Sequence, residues 1–519
     1  MNREPLYLFS QSPIWELQRR YYEEQGMLAW QDEEVPHYIT SNPVIARAYA
    51  EILFAFLRDR IAVKSPAEKP ETVYMLELGA GSGRMSFHLL KHLCALRDES
   101  GIEIPSFCYI MSDLPMKNIQ FWSEHPSLRP FVEQGCLDFA RFDAEHDETI
   151  HLLQSGIHIQ KGDLAQPLVL VANYFLDSLP QELLYVHDQQ MYECWMSLQQ
   201  GDGITTDTST IIGGLKPEYQ YRLAEENPNS AFQEVIEVYR TQLDESHFLF
   251  PHIGIRCLER LRGLSQQGFM LLTADKGDHR LNYWNGRGVP ELIHHGSFSL
   301  TANYHAFKYY YEQQGAQSLF TQHHYNHLNI GCILMVPSSD IYPEMRLAYR
   351  RFVEDFGPDD FFSLKKWVDE HLMMTEWSHL FAYLRLSGHD SRLFKQCFKR
   401  IMELLPEIGD EDQEDLRRII FTVWDWHYPM EQKNDLAFNC GLLLYQMDEY
   451  EDALWFFEHS MNDHEEHISV FYNMAICYYQ LNRDREAIHA ADQALSLDPH
   501  HEGARTLMDK ILREQPTNA

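Results

Sequence analysis

A glycine-rich turn near residue 80 limits what this chain can fold into more than any other feature. The stretch YMLELGAGSGRMSFHLL (74–90) passes from an apolar run through Gly79, Gly81 and Gly83 into apolar residues at helical spacing. Loops of this kind, between a strand and a helix, hold phosphate-bearing or adenosine-bearing ligands in α/β proteins. The residues around the loop must therefore show which ligand it serves.

The spacing of the glycines excludes two common ligand classes. A dinucleotide fingerprint needs Gly-x-Gly-x-x-Gly, and Arg84 stands where its third glycine would be. A P-loop needs Gly-Lys-Ser/Thr after four spacers, which this stretch lacks. What remains is Glu77 followed by Gly79, Gly81 and Gly83. Glycines let the backbone pass close under a ligand without a pyrophosphate, and a carboxylate at Glu77 suits a sulfonium or an amine.

Two further acidic residues follow the next strand-like runs. Asp113 ends SFCYIMSD, where it would bind ribose hydroxyls, and Asp143 follows CLDFARF, where it would meet the exocyclic amine of adenine. A lone Gly-x-Gly-x-Gly is as often a plain tight turn. With Glu77, Asp113 and Asp143 at successive strand ends, the pattern favours S-adenosyl-L-methionine (SAM) binding on a class I methyltransferase sheet.

The order of apolar runs divides the chain into three parts, residues 1–70, 71–340 and 345–519. Between 71 and 340, strand-length runs alternate with helix-length connections, and two β-like pieces close the region. This alternation predicts an α/β fold, a Rossmann-like and mostly parallel mixed sheet, for the SAM-dependent methyltransferase domain.

The N-terminal part is predicted to be helical. Apolar residues recur at helical spacing between 13 and 62, and Ser41 or Asn42 is the natural N-cap before Pro43. A linker, VKSPAEKPET at 63–72, separates this part from the sheet.

The C-terminal part has a 34-residue period, which is typical of tetratricopeptide repeats (TPRs). Two units are predicted, at 434–467 and 468–501, with a weaker unit at 375–408. Small residues at matching positions would let paired helices approach closely. Gly441, Ala453 and Phe457 recur 34 residues later as Ala475, Ala487 and Ala491. The alternative is a helical hairpin array of another type.

The charge of the chain argues against nucleic acid and membrane as partners. There are 43 basic and 77 acidic residues, a net charge of −34, which repels phosphate backbones and anionic lipids. Nine cysteines without a CxxC pair fit a reducing compartment, and no signal or transit peptide is evident, so we expect a cytoplasmic protein. His323 and His327 in QHHYNH lack partnering motifs, so no metal site is predicted.

Four separated segments resemble, in order, the MidA-like methyltransferases, the family of the mitochondrial complex I assembly arginine methyltransferase. They are PHYITSNPVIARAYAEIL (36–53), VANYFLDSLP (171–180), LLTADKGDH (271–279) and the stretch 296–331 that begins GSFSLTAN. The resemblance covers roughly residues 10 to 335.

The resemblance implies cofactor contacts from the three glycines of the turn and from Asp113, with Asn173 and Asp177 flanking the methyl acceptor. Two positions depart from the family. Tyr174 stands where an acidic residue usually follows the asparagine, and Lys276 replaces the tyrosine of an Asp-Tyr-Gly motif. The resemblance therefore supports SAM as cofactor more strongly than arginine as acceptor.

Asp177 and Asp275 are the candidate catalytic carboxylates, together with Asn173. A guanidinium, with a free pKa of about 13, needs carboxylates to localise its charge before one nitrogen can act as a nucleophile. Both aspartates follow predicted strands, at the edge where such folds place ligands. Asp177 could instead cap a following helix, and Tyr174 could line the acceptor channel or simply pack at a strand end.

These observations predict a SAM-dependent methyltransferase that modifies a protein or peptide, with arginine a candidate, bound by its TPR units. Two alternatives remain open at the level of sequence. One is an inactive enzyme that serves as a TPR scaffold in complex assembly, and the other is a small-molecule methyltransferase. The sequence leaves the oligomeric state open.

Overall fold

The computed structural model describes residues 5–31, 38–62, 71–199, 207–225, 231–430, 435–463 and 467–514. The chain divides into two compact units, Met1–Leu364 and Lys365–Ala519. Some predicted features fall partly outside the described residues. These are residues 63–70 of the linker, residues 36 and 37 of the first family-like segment, and residues 434 and 464–466 of the first repeat unit.

The first unit combines two large sheets and two two-stranded sheets with helices. Its strands are β1 (Tyr7–Leu8), β2 (Val73–Leu78), β3 (Phe107–Asp113), β4 (Leu137–Arg141), β5 (Ile150–His151), β6 (His158–Ile159), β7 (Leu168–Asn173), β8 (Glu182–His187), β9 (Gln190–Gln199), β10 (Lys216–Leu223), β11 (Ser246–Phe250), β12 (Phe269–Asp275), β13 (Ile293–His295), β14 (Ser297–Ser299), β15 (Gln317–Phe320) and β16 (Asn329–Met335). Its helices are α1 (Pro13–Gln25), α2 (Leu28–Gln31), α3 (Tyr38–Ser41), α4 (Pro43–Ala62), α5 (Arg84–Ser100), α6 (Met116–Glu124), α7 (Arg129–Glu133), α8 (Thr208–Gly213), α9 (Gln233–Gln242), α10 (His252–Arg262), α11 (Leu281–Trp284), α12 (Tyr304–Glu312) and α13 (Pro343–Tyr349). The two-stranded sheets are β5-β6 and β13-β14.

A seven-stranded sheet forms the centre of this unit, in the order β15-β16-β12-β7-β2-β3-β4. The five strands from β12 to β4 are parallel, and β16 is antiparallel to both of its neighbours. The predicted Rossmann-like mixed sheet is therefore confirmed. The strand order reverses between β2 and β7, and open α/β sheets bind ligands at the carboxyl ends of the strands at such a point.

Two central parallel strands, β7 and β12, are apolar along most of their length, as strands covered on both faces are. Every residue of β12 is buried, as are the first five residues of β7. Strands buried on both faces read as continuous runs of valine, leucine and isoleucine rather than as alternating patterns. This is why LVLVAN and FMLLTAD could be assigned to the sheet from sequence.

A second, antiparallel sheet was not predicted. It has the order β1-β9-β8-β11. β1 and β8 pair with successive parts of one edge of β9, and β10 pairs with the opposite edge. The hairpin between β8 and β9 turns at Asp188 and Gln189, which have φ angles of 49° and 59°. The strands show the alternation of apolar and polar residues expected of a hairpin. The turn between them lacks the Asn-Gly or Asp-Gly pair that predicts a hairpin most clearly.

The N-terminal helices form as predicted around residue 43. Asn42 is the cap of α4, because its Oδ1 accepts hydrogen bonds from the backbone N–H groups of Val44 (2.9 Å) and Ile45 (3.2 Å). Pro43 occupies the first position of the helix, where its missing N–H costs nothing. Most of α4 is buried, which fits its nearly unbroken apolar sequence.

The second unit is helical throughout its described elements. After a helix that begins before the boundary, α14 (Pro358–His371), come α15 (Trp377–Leu386), α16 (Ser391–Leu404), α17 (Asp410–Asp425), α18 (Leu436–Gln446), α19 (Tyr450–Asp463), α20 (Ile468–Gln480), α21 (Asp484–Leu497) and α22 (Glu502–Glu514). The predicted units correspond to the helix pairs α15/α16, α18/α19 and α20/α21.

Small residues set the close packing of these pairs. Gly441 on α18 faces Phe457 on α19 so closely that a Cβ at residue 441 would lie 2.6 Å from Cε1 of the phenyl ring. The positions 34 residues later, Ala475 and Ala491, are also fully buried. Within the described ranges, no helix combines the length and apolarity needed to cross a membrane.

Candidate functional site

The glycine turn lies at the centre of the sheet, between the end of β2 and the start of α5. Gly79, Gly81 and Gly83 have φ angles of 69°, 54° and 78°, which side chains other than glycine rarely adopt. A Cβ at residue 79 would lie 3.0 Å from the Phe175 ring, and one at residue 81 would lie 3.0 Å from Trp30 Cζ2. Both backbone conformation and space therefore require glycine here.

Two adjoining cavities open beside this turn. The first is lined by residues from the ends of β2, β7 and β12, namely Glu77, Gly79, Ala80, Gly81, Ser82, Asn173, Tyr174, Asp177, Ser178, Asp275 and Lys276, together with Tyr22, Trp30, Thr40, Ser41, Met85, His295, Phe298 and Ser299. The second extends past β3 and β4, and its lining includes Arg19, Asp113, Phe142, Asp143 and Glu145. Five residues line both cavities: Tyr22, Trp30, Gly79, Tyr174 and Ser178.

These cavities bring together eight of the nine predicted site residues. Six lie around the first cavity, namely Glu77, Gly79, Gly81, Asn173, Asp177 and Asp275. Asp113 and Asp143 lie around the second, with Gly79 shared. The ninth residue, Gly83, lines neither cavity and is the residue before α5. Which of these residues contact a cofactor or a substrate stays a prediction.

Glu77 is buried at the floor of the first cavity. The hydroxyl of Ser86, in the first turn of α5, donates a hydrogen bond to its Oε2 atom. Burial raises the pKa of Glu77 to about 7, which the bond from Ser86 only partly opposes. The carboxyl is therefore about half protonated at neutral pH, and a positive charge nearby would favour its ionised form.

Asp113, at the end of β3, holds the glycine turn in place. Its Oδ2 atom accepts hydrogen bonds from the backbone N–H of Gly81 (3.0 Å) and from the side-chain amide of Asn118 (3.1 Å). Its Oδ1 atom accepts one from the Leu114 N–H (2.8 Å). Burial raises the pKa of Asp113. Asp113 also lines the second cavity, and its contact with ribose hydroxyls stays a prediction.

Asp143 has an ionic partner that the sequence did not reveal. Arg19 on α1 forms a salt bridge with Asp143 and a second one with Glu145 (3.2 Å). Burial would raise the pKa of Asp143, but the hydrogen bonds from Arg19, the Glu145 N–H and His146, together with the charge of Arg19, outweigh burial and lower the pKa below its usual value. Asp143 is therefore an ionised residue that joins the N-terminal helix to the end of β4.

Asn173, the last residue of β7, is fixed by hydrogen bonds to two N-terminal helices. Its Oδ1 accepts from the Tyr49 hydroxyl (2.8 Å), and its Nδ2 donates to the Thr40 carbonyl (3.5 Å). The amide thereby has a defined orientation at the edge of the first cavity.

Asp177 and Asp275 form a buried carboxyl pair in the first cavity. Each carboxyl lies close enough to affect the ionisation of the other. Burial raises the pKa of Asp177 to about 6, and burial and the neighbouring charge raise that of Asp275 well above its usual value. Within the described part of the chain, Asp177 Oδ1 and Asp275 Oδ2 have no hydrogen-bond partner. Two neighbouring buried carboxyls resist double ionisation, so we expect the pair to carry about one negative charge at neutral pH.

Asp177 does not cap a helix, which was the alternative role considered for it. Residues 174–181 form a turn that leads from β7 directly into β8 of the second sheet. The turn returns Asp177 to the sheet edge, where β12 lies next to β7 and ends in Asp275. The pairing of these two strands is what places the carboxyls together.

Tyr174 begins this turn in a strained conformation. Its φ angle is 47°, in the left-handed region that a tyrosine seldom occupies. Its hydroxyl is buried and has no hydrogen-bond partner among the described residues. Burial, with the charges of Asp275 and Asp177, raises the pKa of the phenol above its usual value. Strain and an unpaired polar atom often mark functional positions.

Sequence reasoning missed one wall of both cavities, which α1 and α2 provide. Trp15, Gln18, Arg19 and Tyr22 line the second cavity from α1, and Trp30 lines both cavities from α2. The four α1 residues follow i, i+3, i+4 and i+7 spacing and so share one helix face. That mixed aromatic and polar face was the feature of the sequence that could have predicted this cavity wall.

The histidine-rich segment QHHYNH is not helical. Residues 322–327 lie in an irregular connection between β15 and β16, so His323 and His327 do not share a helix face. Among the described residues, no group of three or more His, Cys, Asp or Glu side chains is placed to hold a metal ion.

Comparison with known proteins identifies the family. A family model described as "Putative S-adenosyl-L-methionine-dependent methyltransferase" matches residues 62–331, which is more than half of the chain. The chain belongs to this family of SAM-dependent methyltransferases. A tetratricopeptide repeat model matches residues 468–501, the boundaries predicted for the second unit. The TPR gives the protein a module of a kind that binds other proteins.

Solved structures of low sequence identity were also found. A "likely methyl transferase" from Burkholderia thailandensis, bound to S-adenosyl-homocysteine, is 17% identical, covering 61% of this chain and 74% of that chain, with a TM-score of 0.40. An uncharacterized protein from the same organism is 14% identical over the same shares, with a TM-score of 0.37. The CurJ carbon methyltransferase is 13% identical, covering 62% of this chain and 70% of that chain, with a TM-score of 0.25. A search of curated proteins found no match.

SAM is the cofactor of this family, and the residues present fit it. Gly79 and Gly81 border the cavities, and a Cβ on either residue would crowd Phe175 or Trp30, which line the cavities beside the turn. Carboxylates line the space beside the turn, where a sulfonium and an ammonium need negative partners. The predicted cofactor is therefore confirmed at the level of the family, and the two cavities are the place in the chain suited to hold it.

Proposed function

We propose that this protein is a MidA-like methyltransferase that modifies a protein or peptide, with the guanidinium of an arginine as the acceptor. The family supplies the cofactor, and the matched TPR supplies a module suited to recruit a polypeptide. The nine cysteines are free thiols, which supports a cytoplasmic location.

The cofactor and the acceptor would occupy different cavities. Asp113 and Asp143 suit the adenosine end of the cofactor in the second cavity, because they offer carboxylate acceptors to hydroxyl and amine groups. Asp177 and Asp275 suit the acceptor in the first cavity. The glycine turn, which borders both cavities, would underlie the methionine part.

The observation that carries the proposal is the buried carboxyl pair. With one of the two carboxyls protonated, Asp177 and Asp275 present a single negative charge to a bound cation. A planar guanidinium can donate two parallel hydrogen bonds to such a charge, which orients it and localises its positive charge away from the reacting nitrogen.

The same pair can manage the proton that must leave the acceptor. When bound, SAM supplies an electrophilic methyl group on a positively charged sulfur. The ionised Asp177 accepts a hydrogen bond from the acceptor nitrogen and takes its proton as the nitrogen becomes tertiary or secondary. The burial that raises the pKa of Asp177 to about 6 makes it a stronger base than an exposed aspartate.

Two other functions keep specific support. Tyr174 and Lys276, where the family has an acidic residue and a tyrosine, motivate an inactive scaffold that uses its TPR in complex assembly. A small-molecule methyltransferase is the third candidate, since the polar groups that line the first cavity suit a small acceptor as well as a side chain.

Radiolabel transfer distinguishes these candidates. The purified full chain is incubated with methyl-labelled SAM and a cell extract, and with peptides whose only candidate acceptor is arginine, lysine or histidine. Label on arginine nitrogens, located by mass spectrometry, is the expected result. The matched control is Asp275→Asn, which keeps the size of the side chain and should lose transfer.

Each other outcome contradicts the proposal in a defined way. Label on lysine or histidine would support protein methylation but contradict arginine as the acceptor. Label confined to small molecules would favour the third candidate. SAM binding by calorimetry without transfer to any acceptor would favour the scaffold.

A further inference from the structure

The passage between the two cavities is bounded mainly by aromatic side chains. Of the five residues that line both cavities, three are Tyr22, Trp30 and Tyr174, and the other two are the small residues Gly79 and Ser178. The three aromatic residues come from α1, α2 and the turn after β7. We call these three side chains the aromatic collar.

Different contacts hold the three side chains of the aromatic collar in place. The rings of Tyr22 and Trp30 are nearly parallel, with an interplanar angle of 18° and centroids 6.1 Å apart. Trp30 also packs against the turn, because its Cζ2 atom would lie 3.0 Å from a Cβ at residue 81. Tyr174 is fixed by its backbone, whose φ angle of 47° begins the turn.

The collar lies in a negative environment. Charged Asp177 is near enough to influence the hydroxyls of both Tyr22 and Tyr174, and Asp113 also acts on Tyr22. Burial raises the pKa of both phenols, so both rings stay neutral at physiological pH and keep the negative π faces that attract cations. Half-buried aromatic rings beside buried carboxyls attract a cation more strongly than exposed rings do.

Methyl transfer changes the charge at one atom of the cofactor. The sulfur is a cation in SAM and a neutral thioether in S-adenosyl-L-homocysteine (SAH). If adenosine occupies the second cavity and the acceptor occupies the first, the methyl group crosses the passage between them. The collar then lies where this change of charge occurs.

We propose that Tyr22, Trp30 and Tyr174 determine cofactor specificity by binding the positively charged sulfonium of SAM in preference to the neutral sulfur of SAH. This inference rests on the proposed division of the cavities between cofactor and acceptor, and not on the identity of the acceptor. The collar favours entry of the charged substrate and release of the neutral product.

Calorimetry on the full chain tests the proposal without any methyl acceptor. The dissociation constants of SAM and SAH are measured for wild type, Tyr174→Leu and Trp30→Leu, and the ratio Kd(SAH)/Kd(SAM) is compared. Loss of one ring is expected to lower this ratio about fivefold or more, since a desolvated cation–π contact changes a dissociation constant by about that factor. The affinity for SAH should change much less than that for SAM.

Two control variants separate charge recognition from packing. Tyr174→Phe keeps the ring and should keep the ratio within about twofold of wild type. Tyr221→Leu removes a 45% exposed tyrosine on β10 that lines neither cavity, and should leave the ratio unchanged. Tyr174→Leu and Tyr174→Phe both keep a Cβ at the strained position, so backbone strain is common to the pair.

The proposal is overturned if both leucine variants weaken SAM and SAH by the same factor, because the rings would then only pack. Circular dichroism and melting curves establish that each variant is folded, and if Tyr174→Leu is not, Trp30→Leu decides the question. Failure of the radiolabel experiment on arginine would leave this test unaffected, because it measures binding alone.

Discussion

The indole of Trp30 lies directly over the backbone of Gly81. A Cβ at residue 81 would stand 3.0 Å from Cζ2 and 3.2 Å from Cε2 of the indole. The two residues are 51 positions apart in the sequence, and they join the N-terminal helices to the turn at the end of β2. Any side chain at residue 81 must therefore displace part of a cavity wall.

Gly81→Ala is expected to weaken SAM binding tenfold or more. The added methyl group meets Trp30 and also forces alanine into a left-handed conformation that costs about 1 kcal/mol or more. Gly135→Ala is the matched control, because Gly135 has a φ angle of 70° but nothing within 4 Å of a Cβ. Calorimetry should find SAM affinity unchanged in the control. Equal losses in both variants would mean that backbone strain alone is responsible.

The carboxyl pair predicts a pH dependence of methyl transfer. Because the pKa of Asp177 is raised to about 6, the pair loses its negative charge below that pH, and kcat/KM should rise as pH increases through about 6. Asp275→Asn removes the carboxyl that neighbours Asp177, so it should lower kcat by about 100-fold or more and change how kcat/KM depends on pH near 6. SAM affinity, measured alongside, should change little. An unaltered pH profile in Asp275→Asn would contradict a role for the pair.

Glu77 predicts how stability depends on pH without cofactor. Its folded pKa of about 7 is above the ordinary value of 4.5, so the folded state holds its proton over that range and the unfolded state does not. The contribution of Glu77 to stability is therefore present below about pH 4.5 and is lost as pH rises through 7. Glu77→Gln has no carboxyl to ionise at this position, so it does not lose stability as pH rises. The variant should be more stable than wild type by up to about 3 kcal/mol at pH 8. Urea unfolding at pH 5 and pH 8 checks this, and a stability difference independent of pH would refute it.

The salt bridge between Arg19 and Asp143 predicts a salt-sensitive contribution from α1. Both side chains are largely buried, with 23% and 10% exposure, so Arg19→Gln leaves a buried carboxylate without its ionic partner. The expected loss is about 1–2 kcal/mol, smaller in 1 M NaCl than in 0.05 M NaCl. Arg20→Gln, which removes an exposed pair with Glu24, should cost less than about 0.5 kcal/mol. Urea unfolding at both salt concentrations provides the comparison, and equal effects of the two variants would contradict the structure.

Helix packing in the second unit predicts a position that tolerates no methyl group. Gly441→Ala would place a Cβ 2.6 Å from the Phe457 ring and should destabilise this unit by about 1–3 kcal/mol. Gly409→Ala is the control, because nothing lies within 4 Å of a Cβ there. Hydrogen exchange of α18 and α19 should increase in Gly441→Ala alone. Unchanged exchange would mean that the helices can separate at little cost.

The sequence predicted the seven-stranded sheet because its strands are buried on both faces. β7 and β12 read as unbroken apolar runs, and a polar residue follows where each strand ends. Since the carboxyl ends of neighbouring parallel strands meet at one edge, the acids at residues 77, 113, 177 and 275 could be placed in one region. The second sheet was missed because the turn at Asp188 and Gln189 uses positive φ angles without glycine or asparagine.

The contacts that define the site depend on tertiary structure. The Asp177–Asp275 pair requires the turn at 174–181 to return toward β12, and no local pattern predicts its course. Arg19 and Trp30 reach the site through the position of whole helices. The spacing of residues on α1 indicates that they share a face, but not which element that face contacts.

The wall formed by α1 and α2 affects how the chain can be divided. The segment that matches the methyltransferase family begins at residue 62, after both helices. A fragment produced from residue 62 to residue 335 would keep all seven strands of the central sheet and all nine predicted site residues. It would lack Tyr22, Trp30 and Arg19, so the cofactor turn would face solvent on the side that the N-terminal helices cover. A family match can therefore contain every predicted site residue and still leave out part of the wall that surrounds these residues.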